Sequence, residues 1–486
     1  MLAGLINDQN RKWWTLGAVS IGLFMIMLDN TIVNVALPTM ERDLQIKVTE
    51  LQWIVAAYTL TFASLIVTGG KLADMLGRRR IFNIGLALFT LASLGCGLST
   101  SAHMLIAFRA LQGGGAAIMN PATLSIVIAT FPPRQRGTAI GIWAGTAATA
   151  LGIGPLLGGV LTQQLSWHWI FFVNIPIGVL AILFSRIAIA ETRDSSREQR
   201  LDIPGLVASG IALFTLTFAL IESDTYGWGS PLIYALFAIS AVAFAVFILL
   251  ELRQRLPMLE LSLFRARNFI GANVVVLLVT LAMFGVLFFV SLYLQNVLRY
   301  SPTQAGASFL PMTILIMLIA PIAGRASDRI GSRWLMAGGM ALIALSLFLY
   351  SRLTVNSSYS SLVIPMVLGG IGMATTMSPT TAAAMTSVAA AKAGVGSAVL
   401  NSFRQVGGSL GIALLGAIFT TGVRSARSSG QSPPLAFMHG FTSALHVAAA
   451  IALGAAIFAA LIIRPRQPGP DEEPVSASST VAADTT

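Results

Sequence analysis

The residues best able to do chemistry in this chain lie where charge is costly. Asp29 falls within Leu28-Asp29-Asn30-Thr31-Ile32-Val33-Asn34-Val35-Ala36-Leu37-Pro38, inside an apolar run over roughly 13–38. Such a run is long enough to cross a bilayer, and an ionised carboxylate in it is stable only with a partner. Asn30 and Asn34, four apart, place a polar stripe beside the acid. A run over roughly 103–130 carries Arg109 and Gln112, then Gly113, Gly114 and Gly115. By helical rise, Asp29 is about 13 Å and Arg109 about 9 Å from the outer ends of their helices. The two therefore sit at similar depth and can pair. A guanidinium favours the charged carboxylate and burial favours the neutral acid. Under those opposing pulls a site can release and rebind a proton as it moves between two sides of a membrane. A permanent salt bridge holding helices together is the plainer reading; an intramembrane acid defaults to function.

These residues need helices to hold them in a bilayer, and the composition supplies little else. The 486 residues are 55% hydrophobic and only 10% charged, with mean hydropathy +0.79, whereas a soluble domain carries about 25% charged residues. Apolar runs lie at roughly 13–38, 51–70, 80–100, 103–130, 137–164, 169–190, 203–222, 230–252, 268–298, 304–325, 334–353, 361–386, 396–422 and 439–463. They predict an all-α integral membrane protein of about fourteen spans. Unbroken runs of helix length exclude a β-barrel pore.

The net charge of +11 suggests nucleic acid, but its placement does not. One set of loops holds Lys71, Arg78–Arg80, Arg134, Arg136, Arg186, Arg193, Arg197, Arg200, Arg253, Arg255, Arg265, Arg267, Arg325, Arg329, Arg333, Lys392, Arg464 and Arg466. The alternate set holds only Arg42, Lys47, Arg299, Arg352, Arg424 and Arg427. This is the positive-inside pattern of a chain with both ends in the cytoplasm. The single cysteine, Cys96, and four scattered histidines give no disulfide framework and no metal-ligand spacing. No cofactor is expected, and no cleavable signal peptide.

An internal repeat sets the architecture. Gly70, Asp74 and Gly77, with Arg78 following, recur as Gly324, Asp328 and Gly331 at a constant offset of 254 residues. Met119-Asn120-Pro121 is echoed by Met377-Ser378-Pro379. Helices 1–6 and 9–14 then read as two copies, with two helices inserted between them, a known transporter plan with its site at the interface. The divisions are a lead over 1–12, a six-helix bundle over 13–190, a linker with two inserted helices over 191–267, a second bundle over 268–463, and a disordered tail over 464–486. Val367 stands near the counterpart of Arg109, so the charge chemistry reads as confined to the first copy.

Other patterns are structural and functional at once. Gly141, Gly145, Ala148, Gly152, Pro155 and Gly159 step by four and three along one helix face, which suits tight packing or a bendable seam between the halves. Asp74 and Arg78 can pair across one helical turn, and Asp74 can cap a neighbouring helix. A contact of that kind, made in one conformation and broken in another, is a latch. Glu222 and Asp224, followed by Tyr226-Gly227-Trp228, and the triplet Trp167-His168-Trp169, read as interfacial ends. Eighteen Met and 26 Phe suit an adaptable apolar cavity.

Taken together, the motifs resemble those of the fourteen-span drug:proton antiporters of the major facilitator superfamily. The resemblance rests on Leu28–Pro38, the loop Gly70–Arg80, Leu105–Ala117 with Arg109 and Gln112, and Gly154-Pro155-Leu156-Leu157-Gly158-Gly159. It implies a major facilitator fold, proton transfer near Arg109, and efflux of amphipathic or cationic drug-like molecules from the cell. Small molecules, protons and the lipid bilayer are the implied partners; no motif speaks to a periplasmic adaptor. Helices 9–14 carry no acid in their cores, which counts against export of dications. An exporter of one physiological solute on the same scaffold is the nearest alternative. A membrane-embedded enzyme would need paired acids or a histidine cluster near a leaflet surface, and a membrane sensor would need a folded soluble domain; the sequence offers neither.

Overall fold

A computed structural model describes residues 10–193, 201–254, 261–388 and 393–464. The lead up to residue 9, the tail from 465, the loop cations Arg197, Arg200, Arg255, Lys392 and Arg466, and the side chains of Arg134 and Asp328 lie outside the described residues. Among the described residues there are no strands, and 14 helices are long and apolar enough to cross a membrane. They are α1 Arg11–Leu44, α2 Val48–Leu76, α3 Arg78–Gly97, α4 Ala102–Thr130, α5 Thr138–Gln164, α6 Trp169–Ala188, α7 Ile203–Tyr226, α8 Pro231–Arg253, α9 Arg267–Val297, α10 Pro302–Ser327, α11 Ser332–Tyr350, α12 Tyr359–Thr386, α13 Val395–Ser428 and α14 Pro433–Ile462. The count matches the sequence reading because each run is set by bilayer thickness, and a helix is the one way a single segment satisfies its backbone without water.

Polar residues start several helices. Asp202 accepts from the Gly205 amide at 2.8 Å, and Ser301 and Gln304 form a reciprocal capping box. Gly77 ends α2 and opens α3 with φ +110°, and Gly331 does the same between α10 and α11 with φ +84°. The Glu191 carboxylate, at the far end of α6, accepts from the amides of Arg79 and Arg80 at 3.0 and 3.1 Å. It satisfies the start of α3 and adds charge at the favourable pole of its dipole.

Packing follows the internal repeat. In the first half α4 lies against α2 and α3, and α1 against α5; in the second, α12 lies against α10 and α11, and α9 against α13. Glycines let backbones touch at matched places. Gly113 abuts the Tyr58 carbonyl, and Gly115 abuts Gly85 and Phe89. Gly370 abuts the Met312 carbonyl, and Gly372 abuts Gly339 and Ile343. This pairing sets the α4–α12 offset at 257 residues, so Met366, rather than Val367, occupies the counterpart of Arg109.

The halves meet where α2 packs on α13 and α5 on α10, and the inserted α7 rests on both α2 and α13 with α8 outside it. Trp53 of α2 donates to Glu222 of α7 at 2.9 Å, Asp224 pairs with Arg424 of α13 at 2.6 Å, and Trp228 donates to Thr421 at 3.3 Å. The acids at the end of α7 therefore tie the insertion to both halves. Trp167 departs from its expected interfacial place. It is buried in the core, stacked on His168 at 3.7 Å and edge-on to Phe171, while Trp169 is 45% exposed. The turn between α5 and α6 folds back over the bundle. Burial there holds the His168 imidazole below its usual pKa.

A side chain at Gly77 would adopt a backbone conformation rarely open to it and stand 2.6 Å from Glu191. We expect Gly77→Ala and Gly331→Ala each to destabilise the protein by roughly 1–3 kcal/mol. Gly338→Ala, with nothing within 4 Å of the added carbon, should leave stability unchanged or raise it. Thermal unfolding followed by tryptophan fluorescence in detergent reads all three.

Candidate functional site

The glycine contacts that draw α4 onto α2 and α3 also lower its two polar side chains into the first half. Arg109 Nη1 lies 2.6 Å from Asp29 Oδ2 and donates to Gln112 Oε1 at 2.8 Å. Gln112 Nε2 donates to Asp29 Oδ1 at 3.0 Å, so both carboxylate oxygens are engaged. Arg109 Nε donates to the Ile54 carbonyl at 3.1 Å, and its guanidinium lies over the Tyr58 ring at 4.3 Å. Asp29 and Arg109 are each 1% exposed. At such burial an unpaired ion would be strongly destabilising, so each charge depends on the other.

Behind this pair stands a relay that the sequence analysis did not include. Gln112 Nε2 also reaches Ser93 Oγ of α3 at 3.2 Å. Asn174 Nδ2 of α6 donates to the same oxygen at 3.1 Å, and Ser93 donates to the Phe171 carbonyl at 2.9 Å. Ser93 and Asn174 share their apolar runs with other polar residues such as Thr90 and Ser185, so spacing alone did not single them out. Asn30 and Asn34 do not join the acid. Their amides donate back along α1 to the carbonyls of Ile26 and Asn30, and both Oδ1 atoms are buried with no hydrogen-bond partner among the described residues.

Charge is not confined to the first half. Arg404 lies within α13, an intramembrane cation like Arg109 but on a helix outside the α4–α12 pairing, where the repeat gives it no counterpart to Arg109.

The helix α5 motif divides its contacts. Gly154 abuts Thr31, and Gly158 stands against the Ile32 carbonyl of α1. On the other side Gly306 of α10 abuts the Pro155 carbonyl, Gly159 abuts the Pro302 carbonyl, and Gly152 faces Thr313. Further toward the end that carries Gly77, Gly141 and Gly145 meet nothing within 4 Å. The small-residue stripe is thus sealed against α10 over one half of its length and stands apart from it over the other. At the sealed end α9 finishes in a π turn, Tyr293–Val297. From that turn Gln295 donates to the Val35 carbonyl at 2.8 Å and Asn296 to Glu41 at 3.1 Å, joining α9 to α1. Toward the Gly77 end, Ile21, Phe24 and Met27 of α1 remain partly exposed at every third position, while Thr31 and Asn34 beyond them are buried. The interior therefore opens on the Gly77 side and closes above Asp29.

The loop after α2 contains the expected ion pair, with Arg78 Nη2 and Asp74 Oδ1 2.9 Å apart and both partly exposed. Asp74 does not cap α3; Glu191 takes that place. A carbon added at Gly70 would meet Pro121 of α4 at 3.4 Å, and one at Gly324 would meet Ser378 of α12 at 2.8 Å, so both copies of the loop start at a close helix crossing.

Removing one member of the buried pair should be costly. Arg109→Ala is expected to destabilise the protein by about 3–5 kcal/mol, with part of the loss recovered by adding Asp29→Asn. Unfolding midpoints of the two single variants and the double variant in detergent measure this.

Comparison with known proteins places the same residues in a wider group. The family model described as Major Facilitator Superfamily matches residues 19–412 and 272–483. The chain is 34% identical to the tetracenomycin C resistance and export protein of Streptomyces glaucescens, over 97% of this chain and 96% of that protein. It is 36% identical to a puromycin resistance protein of Streptomyces alboniger, over 95% and 93% of the two chains. A crystal structure of a bacterial homologue of the human lysosomal transporter Spinster superposes with TM-score 0.66 at 18% identity, over 94% of this chain and 99% of the other, a likeness of fold. Fourteen apolar helices, a repeated six-helix plan and these matches lead to one conclusion: the chain is a multi-pass membrane protein belonging to the major facilitator superfamily of transporters.

Proposed function

We propose that this protein is a proton-coupled antiporter that exports drug-like, amphipathic or cationic small molecules across the cytoplasmic membrane, with both termini in the cytoplasm. The observation that carries the reading is the fully buried Asp29–Arg109 pair, with both carboxylate oxygens engaged. The loop charge bias supports the sidedness, and the printed names of relatives, resistance and export among them, support the direction of transport.

In this reading the halves over 13–190 and 268–463 rock about a central cavity, and 191–267 joins them. The Gly77 end, on which this form opens, is in this reading the cytoplasmic end. Outside, a proton neutralises Asp29 and frees Arg109 from its counter-ion; this favours substrate release and return. Inside, the proton leaves and the ion pair re-forms, so that reset and substrate uptake follow. Gly152, Pro155 and Gly159 act as the outer seam, the Gln295–Val35 and Asn296–Glu41 contacts as its closure, and the loops at Asp74–Arg78 and Asp328 as cytoplasmic latches. With ~100 mV across the membrane, one proton supplies about 2.3 kcal/mol, enough for a roughly 50-fold gradient of a neutral compound.

A second reading, an exporter of one natural antibiotic, draws support from relatives named for single compounds, such as the cephamycin export protein of Amycolatopsis lactamdurans. Substrate profiling of a deletion strain separates the two.

Asp29→Asn mimics the protonated acid. It should abolish dye movement driven by a pH gradient in inverted vesicles while the protein still inserts and binds dye; gradient-driven movement at the wild-type rate would refute the role given to Asp29. Gly159→Leu should hold the outer seam apart. Cysteines introduced at Gln163 and Thr303, whose side chain and backbone are hydrogen-bonded at 3.1 Å, should then cross-link at least tenfold more slowly than in the wild-type background.

A further inference from the structure

The second intramembrane cation has no use in the scheme above. Among the described residues Arg404 makes one hydrogen bond, from Nη1 to Asn401 Oδ1 at 3.3 Å. Its Nε is buried with no partner among the described residues. None of the ion pairs among the described residues includes it. Asn401 is itself oriented by a bond from Nδ2 to the Ser397 carbonyl at 3.1 Å, which turns its oxygen toward the guanidinium. A guanidinium carries five donors, so most of this one is unspent. Arg109, by contrast, is bonded to a carboxylate, an amide and a carbonyl.

Position on α13 says what Arg404 faces. Gly407 and Gly411 abut the Leu277 and Leu281 carbonyls of α9, in the second half. Ser402 donates to the Ala63 carbonyl of α2 at 3.2 Å and Gly416 abuts Gln52, in the first half. Leu410, Ala413 and Leu414 pack with the inserted α7. At 100° per residue Arg404, Asn401 and Gly408 fall between the α2 and α9 strips, on the side away from α7. That direction is the gap between the halves. Depth follows from α2: Arg404 lies near the level of Ala63, and Arg109 is bonded at Ile54. Nine helical residues separate those levels, about 13 Å. Arg404 thus stands on the open side of the Asp29 pair, where a molecule entering from the Gly77 end passes first.

We propose that Arg404, with Asn401 beside it, is a binding subsite for the acidic group of a substrate, a carboxylate or phenolate on an apolar body. A guanidinium receives such a group with two parallel hydrogen bonds. Phe284, partly buried on α9 against Gly408, offers the neighbouring apolar surface. This rests on the exporter reading for its biological meaning and extends it: anionic and zwitterionic amphiphiles join the substrates, and a purely cationic compound gains nothing at this position.

The test is equilibrium binding of radiolabelled 4-(1-pyrenyl)butyrate and its methyl ester to the full chain in phosphatidylcholine nanodiscs, without any gradient. Wild type should prefer the acid by about tenfold to a hundredfold. Arg404→Gln should erase that preference and leave the ester's affinity unchanged. Asn401→Asp keeps the arginine but gives it a built-in counter-ion, and should erase the preference as well, which covers the case of Arg404→Gln failing to fold. No preference in wild type, a preference that survives both variants, or equal weakening of acid and ester overturns the proposal. So does displacement of the acid by phosphatidylglycerol added to the disc, which would assign the cation to a lipid headgroup. Because binding is read without transport, failure here leaves proton-coupled export standing, and loss of gradient-driven efflux leaves this subsite standing.

Discussion

A carboxylate and a guanidinium held 2.6 Å apart with almost no access to solvent are the constraint from which much of the first half follows. Neither ion is stable there alone, and their mutual attraction offsets desolvation only when the remaining donors and acceptors are also satisfied. Gln112, the Ile54 carbonyl and the Tyr58 ring meet that need. Those groups reach the pair because Gly113 lets α4 lie directly against α2 and Gly115 lets it lie against α3. The glycine run and the ion pair are one device: the first brings the backbones close enough for the second to be saturated.

The second half keeps the packing and drops this chemistry. Gly370 and Gly372 repeat the crossings made by Gly113 and Gly115, yet Met366 and Gly369 stand where Arg109 and Gln112 would. Backbone contact between helices depends on small residues and tolerates any side chain that points elsewhere, so the scaffold can repeat while the polar residues do not. The second half has a cation of its own on a different helix, Arg404, in no ion pair among the described residues. The halves therefore differ in charge chemistry, with a saturated, buried charge pair in the first and a guanidinium with a buried, unpartnered Nε in the second.

Closure at one end and openness at the other also have local causes. Along α5 the same spacing of small residues continues past the point where α10 leaves it. A smooth stripe can lie against a partner or stand free, because it carries no side chain that must be buried or wetted. The π turn at the end of α9 adds a residue to the helical turn and aims Gln295 and Asn296 across the boundary at α1. Both are side-chain bonds, one from buried Gln295 and one from part-buried Asn296, so they can break without dismantling the backbone of either half.

Run length, loop charge and the repeated Gly–Asp–Gly loop were legible in the sequence, because bilayer thickness and positive-inside bias act on each segment separately. So was the nature of the deep site: an acid and an arginine in apolar runs at matched depth have few stable arrangements other than with each other. What the sequence left open needed neighbours from distant segments. Ser93 and Asn174 become a relay, Glu191 a cap, Trp167 a core residue and Asn30 and Asn34 bystanders only when helices far apart in the chain are laid together. Spacing tells which face of a helix a residue occupies, but not which helix that face meets. That choice was made by tertiary packing, through small residues that admit one neighbour and bulky ones that exclude another.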